Sequence, residues 1–313
     1  FFINNNYRMV RDNMKVLKKI TIVFMIIIGI LLFSYMGLYL YAKITPKLSI
    51  NSANNYYFYD INENLYNGNN ENWISLNDIS DNLINATISI EDKHFYNHIG
   101  FDYLRILKSL YINFKRGANV QGASTITQQY AKNLFLTFDK TWERKIQEAW
   151  LTIRLESHYS KNEILEGYLN TINYGGIFGI ENASLYYFNK SSKDLSLAEA
   201  SILAGIPKSP TYYNPISNYD NAKSRQRDIL SAMVENKYIS KEQMDEAYNE
   251  QLVFYGENPS NNISSLMYYQ DAVIEELKKI KTIPSSFLQT GGLKIYANIN
   301  LDYQKTLEES VKK

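Results

Sequence analysis

Between Ile20 and Ala42 the chain runs 23 residues without a charge. At ~1.5 Å per residue a helix of that length covers roughly 34 Å, enough for the ~30 Å hydrocarbon core of a bilayer. After Lys43 the pattern changes. Residues 48–73 are Asn-rich and hold the aromatic run Tyr56-Tyr-Phe-Tyr-Asp60, which predicts a short strand followed by a turn. From there apolar residues recur at helical spacing, and about eight helices are expected between residues 77 and 250. Three are announced by capping boxes: Ser160-Lys-Asn-Glu163, Ser196-Leu-Ala-Glu199 and Ser240-Lys-Glu-Gln243. Gly175-Gly176-Ile-Phe-Gly179 interrupts them as a loop that bends tightly or meets a ligand closely. Residues 264–281 read as an amphipathic helix.

Composition narrows this picture in a few respects. A chain of 313 residues has room for more than one unit. The net charge of +1 argues against nucleic acid recruited by bulk electrostatics, so no nucleic-acid partner is expected. The absence of Cys excludes a disulfide framework, a thiolate nucleophile and Cys-built metal sites. Tyrosine is frequent, at 27 residues, which suits work on sugars or at a membrane surface.

Charge also orients the apolar run. Arg8, Arg11, Lys15, Lys18 and Lys19 precede it, against Lys43 and Lys47 after it, which predicts a single span with a cytoplasmic N-terminus. The run is longer than the h-region of a signal peptide and no small-residue cleavage site follows Tyr41.

Three stretches carry candidate chemistry. In Ile88-Ser-Ile-Glu-Asp-Lys-His-Phe-Tyr-Asn-His-Ile-Gly100, an apolar helix ends in Glu91 and Asp92, with Lys93 the one adjoining cation in sequence. A carboxylate at an apolar helix end is a candidate proton acceptor, or else the solvated end of a helix. His94 and His98 lack the third ligand that zinc requires, and His98 reads better as a hydrogen-bonding partner in the turn that Gly100 closes. In Gln121-Gly-Ala-Ser-Thr-Ile-Thr-Gln-Gln-Tyr-Ala-Lys-Asn133, Gly122, Ser124 and Thr125 read as a helix start. Its free N–H groups could receive a phosphate, or be capped in the ordinary way. In Lys140-Thr-Trp-Glu-Arg-Lys-Ile-Gln-Glu-Ala-Trp150, Arg144 and Glu148 share one helical face, while Trp142, Ile146, Ala149 and Ile153 form another. Lys140, Arg144 and Lys145 gathered beside one acid suit either a surface salt bridge or the grip on a diphosphate.

Taken in order, Glu91-Asp-x-x-Phe-x-x-His-x-Gly100, Gly122-Ala-Ser-Thr-Ile-x-Gln-Gln-x-x-Lys-Asn133, Arg144-Lys-x-x-Glu148, Lys161-x-x-Ile-Leu-Glu-x-Tyr-Leu-Asn170 and Leu197-Ala-Glu-Ala-Ser-Ile-Leu-Ala-Gly-Ile-Pro-Lys-Ser-Pro210 resemble the motifs of the family 51 peptidoglycan glycosyltransferases. These are the glycosyltransferase modules of class A penicillin-binding proteins and their monofunctional relatives. The likeness covers about residues 50–250.

The resemblance implies a mainly α, lysozyme-like glycosyltransferase domain with an N-terminal transmembrane helix and a small α+β linker segment at the C-terminus. The expected parts are a basic cytoplasmic tail (1–19), the membrane helix (20–42), the glycosyltransferase domain (43–255) and a linker (256–313) towards a transpeptidase domain that the chain does not include. The implied reaction polymerises lipid II into β-1,4 glycan strands with release of undecaprenyl diphosphate. Glu91 matches the family's general base and Glu148 its second essential acid. Lys132, Lys140, Arg144 and Lys145 fall where relatives contact the diphosphate, and Asp92, His98, Ser124, Thr125, Gln128, Gln129 and Asn133 fall in the cleft-lining motifs. No cofactor is required by this reading, and a divalent cation (Mg or Mn) at the diphosphate stays open. The expected partners are lipid II, the growing strand, the bacterial membrane and a cell-wall synthesis complex, and the family inhibitor moenomycin is expected in the cleft. A membrane-anchored muramidase or lytic transglycosylase is the alternative, disfavoured because a hydrolase has no diphosphate to hold. Gly291-Gly-Leu-Lys-Ile-Tyr-Ala-Asn-Ile-Asn-Leu-Asp302 resembles the lead into a transpeptidase, while Ser310-Val-Lys-Lys313 is a chance Ser-x-x-Lys without the rest of that fold.

Overall fold

The computed structural model describes residues 2–48, 50, 57–64, 73–117, 122–136, 141–256, 266–280 and 294–311. The chain divides into two units, Phe1–Lys47 and Leu48–Lys313. The first is a single helix, α1 (Phe2–Ile44), which contains the predicted span and leaves Ile26, Ile30 and Phe33 exposed. Among the described residues no helix is long and apolar enough to cross a membrane; many side chains of the first 31 residues lie outside that description.

The second unit is helical, with α2 (Asp81–Glu91), α3 (Tyr103–Arg116), α4 (Ile126–Phe135), α5 (Trp142–His158), α6 (Lys161–Thr171), α7 (Ile180–Phe188), α8 (Leu197–Gly205), α9 (Tyr219–Glu235) and α10 (Lys241–Asn249). That is one more than the pattern predicted. All three predicted capping boxes form, at Ser160, Ser196 and Ser240, and a fourth closes between Thr125 and Gln128 at the start of α4. Each satisfies two backbone donors that would otherwise be unpaired, so these helices start where their sequence says.

The core is arranged around α8, whose residues from Ala198 to Gly205 are all buried, with α2 and α9 packed on it. α4 packs on α5 and α6. These two groups share one hydrophobic core that includes Leu83, Ile88, Phe95, Ile126, Tyr130 and Leu155. The glycine-rich loop is a tight turn in which Asn173 bridges Phe178.

The predicted strand forms as β1 (Tyr57–Tyr59) and pairs in parallel with β2 (Lys294–Tyr296), Phe58 lying opposite Ile295. The amphipathic helix is α11 (Leu266–Lys279), and α12 (Leu301–Val311) follows β2. Phe58, Ile295, Ala297 and Ile299 form a second, small core against Val273, Ile274 and Leu277 of α11. The C-terminal segment is therefore tied to the residues that precede the helical domain. On α5 the predicted second apolar face holds only in part: Ile153 is buried, but Trp142 and Ile146 stand exposed.

Candidate active site

α2 carries Leu83, Ala86 and Ile88 into the core and ends at Glu91, so the next residue, Asp92, is driven inward with no exposure at all. Its carboxylate accepts the N–H of Ile126 at 3.0 Å and the Nε2 donor of His98 at 3.0 Å. His98 Nδ1 in turn accepts the Gly100 N–H at 3.2 Å, which places the ring proton on Nε2 where Asp92 needs it. Gly100 has φ +91, and a Cβ there would stand 2.8 Å from the Thr152 methyl of α5. Asp92 thus sits at the positive end of α4 as its anion.

Two of the stretches read from the sequence take their place here. At the α4 N-terminus Asp92 accepts the Ile126 N–H and the Thr125 hydroxyl accepts the Gln128 N–H at 3.2 Å, so ordinary capping forms there. Asp92, Thr125 and Gln128, placed on the cleft lining by the resemblance, are enclosed side chains that frame it. The histidines are engaged by carboxylates, His94 with Asp102 and His98 with Asp92, and among the described residues no metal-binding cluster occurs.

Glu91 is placed beside two cations that are remote in sequence. Its Oε1 lies 3.5 Å from Nη2 of Arg225 on α9, and Arg105 of α3 donates to its backbone carbonyl. Sequence reasoning saw only Lys93. Arg225 is buried, and Gly205 makes its place, since a Cβ there would come within 2.9 Å of the Arg225 side chain. Glu91 Oε2 accepts Nε2 of Gln129 at 2.8 Å, and Gln129 Oε1 accepts the Tyr168 hydroxyl at 3.3 Å. Burial, then the Glu91 charge, pushes the Tyr168 phenol well above its ordinary range, so it stays a donor and fixes which end of the Gln129 amide faces Glu91.

Glu148 is 2% exposed, so its pairing is no surface salt bridge. Arg144 Nη1 donates to Oε2 at 2.9 Å, while Lys145 Nζ and, at 3.3 Å, Gln128 Nε2 donate to Oε1. Lys145 also reaches Ser124 Oγ at 3.5 Å. Adjacent glutamines of α4 therefore each reach one acid, Gln128 to Glu148 and Gln129 to Glu91. Lys132 and Asn133 lie half-buried farther along α4, and Lys140 lies outside the described residues. With both oxygens of Glu148 held by donors, the residues here fit an anion held by side-chain cations better than a protein-bound divalent metal.

Burial lowers the Lys132 amine, an effect opposed by Glu148 and reinforced by Arg144 and Lys145. A base with a depressed folded pKa is protonated more readily in the unfolded chain, so stability rises with pH through the window between the two values. Below that window, the charged lysine costs the fold its full amount. Lys132→Met is accordingly expected to raise the melting temperature near neutral pH. Thermal unfolding of the two proteins checks this; a lowered melting temperature would contradict the account of Lys132.

Residues 59–234 match the family described as Transglycosylase, and the chain belongs to that family. It is 46% identical over 240 residues to penicillin-binding protein 2D of Bacillus subtilis (strain 168), covering 76% of this chain and 35% of that protein. It is 40% identical over 241 residues to penicillin-binding protein 1A of Aquifex aeolicus (strain VF5), covering 76% of this chain and 32% of that protein. The chain thus spans about a third of the length of these relatives. A crystal structure of penicillin-binding protein 1A from Haemophilus influenzae aligns with 70% of this chain and 24% of its own at TM-score 0.37 and 23% identity.

Proposed function

We propose that the helical domain is a peptidoglycan glycosyltransferase that polymerises lipid II into β-1,4 glycan strands and releases undecaprenyl diphosphate. The observation that carries this reading is the pair of glutamines joining Glu91 to an acid surrounded by cations. In this mechanism, Glu91 takes the proton from the 4-hydroxyl of the acceptor sugar as that oxygen bonds to the anomeric carbon of the donor. The bond from that carbon to the diphosphate breaks, and the departing oxygen keeps the electron pair. Lys132, Arg144 and Lys145, with Lys140, stabilise the charge that develops there. Glu148 holds Arg144 and Lys145 in place, and Gln129 with Tyr168 aims Glu91. Ser124 and Asn133 are assigned to the cleft wall. A divalent cation, if one takes part, would be carried by the diphosphate oxygens. Supplying the chain with lipid II and, separately, with finished glycan strands tests the reading. Lengthening polymer from the first and unchanged strands in the second are expected, whereas shortened strands would favour a muramidase.

Residues 20–42 are assigned as a membrane anchor, with the N-terminus cytoplasmic, the catalytic domain outside, and a cell-wall synthesis complex as the setting. This is supported by 23 uncharged residues within one continuous helix and by five basic residues ahead of them. Protease applied to the outside of intact cells should digest the portion after Lys43. Its protection would overturn the topology.

A further inference from the structure

Tyr130 on α4, wholly buried, and Tyr159, half-buried at the end of α5, take no part in the machinery above. Both turn to the same short stretch, the residues that follow α1 in the chain. The Tyr130 hydroxyl donates to the Ile50 carbonyl at 3.0 Å and the Tyr159 hydroxyl donates to the Leu48 carbonyl, while the Tyr159 oxygen takes a hydrogen bond from the Ile50 backbone. Burial, then the neighbouring Tyr159, pushes the Tyr130 phenol far above its ordinary range, and burial, then Glu163, raises that of Tyr159. Both therefore stay protonated and able to donate. Leu48 and Ile50 are buried in the same core as Tyr130 but belong to no helix or strand, so side chains supply the partners that their buried backbone groups need.

The sequence makes room for this clamp. Gly167 stands inside α6, where glycine weakens a helix, and a Cβ there would come within 2.0 Å of the Tyr130 hydroxyl oxygen. The clamp is not needed to lead the chain into α2, because Asn170 bonds both backbone groups of Ile74 and Glu166 accepts the Leu76 N–H at 2.9 Å. What it does touch is the back of a helix whose other side serves the site. Successive helix residues point about 100° apart, so Tyr130 is turned by about 200° from Gln128, the partner of Glu148, and follows directly on Gln129, the partner of Glu91. We propose that Tyr130 and Tyr159 are positioning residues, clamping residues 48–50 against α4 so that this helix keeps both glutamines within reach of their acids. The stretch that follows α1 is thereby a handle on the site. The effect on the reaction rests on the glycosyltransferase reading, whereas the clamp itself does not.

The test uses the full chain in neutral detergent and has two readouts. The first is amide hydrogen exchange at residues 48–50, expected to be slow in the wild type and at least about tenfold faster in the Tyr130→Phe/Tyr159→Phe variant. The second is turnover of lipid II. Tyr130→Phe should lower kcat at least about tenfold and leave KM within about threefold, since the phosphate contacts come from other residues. Tyr159→Phe keeps the Tyr130 bond and should lose less, and the double variant should lose less than the product of the two single losses, because both hydroxyls act through one stretch. Gly167→Ala leaves both tyrosines in the chain but takes the space of the Tyr130 hydroxyl, so it should lower kcat as Tyr130→Phe does. Unchanged exchange at residues 48–50 in the double variant would overturn the clamp. Wild-type kcat in folded Tyr130→Phe and Gly167→Ala would overturn the positioning role. Absence of polymer from the wild type would instead count against the glycosyltransferase reading, with the exchange readout still deciding the clamp.

Discussion

Asp92→Ala is expected to destabilise the helical domain by about 3–5 kcal/mol and to take activity with it, although Asp92 is not assigned to the chemistry. Its carboxylate answers the Ile126 N–H at the start of α4 and the Nε2 donor of His98, and it has no exposure to water. Removing it leaves two buried donors unsatisfied, each costing ~1–3 kcal/mol, and takes the anion from the positive end of α4. α4 carries both glutamines that aim the acids, so a shift of its first turn is felt at Glu91 and Glu148 together. Asp92→Asn, which keeps one acceptor oxygen, should fall between the two. Denaturant unfolding of the three proteins reads this directly, and an alanine variant as stable as the wild type would show that Asp92 does not hold α4.

Much of the helical scaffold was legible because its instructions are local. The Ser-x-x-Glu and Ser-x-x-Gln capping boxes name helix starts within four residues, and each forms at Ser160, Ser196 and Ser240. The cluster of Arg144, Lys145 and Glu148 was legible for the same reason, since partners three and four apart on a helix must meet. What could not be read is whatever depends on elements meeting from far along the chain. Arg225 reaches Glu91 because α9 packs directly on α2, both of them resting on α8, and nothing in the Arg225 neighbourhood points to an acid on α2. β1 and β2 are three residues each, too short for a pattern to specify a partner at the other end of the domain. Which of the adjacent acids Glu91 and Asp92 turns inward could not be read either, since both follow the same apolar helix. A signal did exist for Gln128: Thr125-x-x-Gln128 is itself a capping box, and it predicts an amide held at the helix start rather than one facing solvent.

Glu91→Gln is expected to lower polymerisation by about 10²–10⁴, the usual worth of a positioned proton transfer. Glutamine keeps the size and one acceptor oxygen, so one of the two donors, Gln129 or Arg225, keeps its partner and the fold is preserved. It cannot take a proton from the acceptor hydroxyl. The donor's phosphates are assigned to Lys132, Lys140, Arg144 and Lys145, none of which is altered, so affinity for moenomycin should stay within about threefold of the wild type. A loss of both activity and binding would instead mean a disturbed cleft. The most direct measurement is glycan polymer formed from lipid II by equal amounts of wild-type and Glu91→Gln protein, beside their moenomycin affinities. The account predicts polymer from the wild type alone with binding kept in both; polymerisation by Glu91→Gln at near the wild-type rate would contradict it.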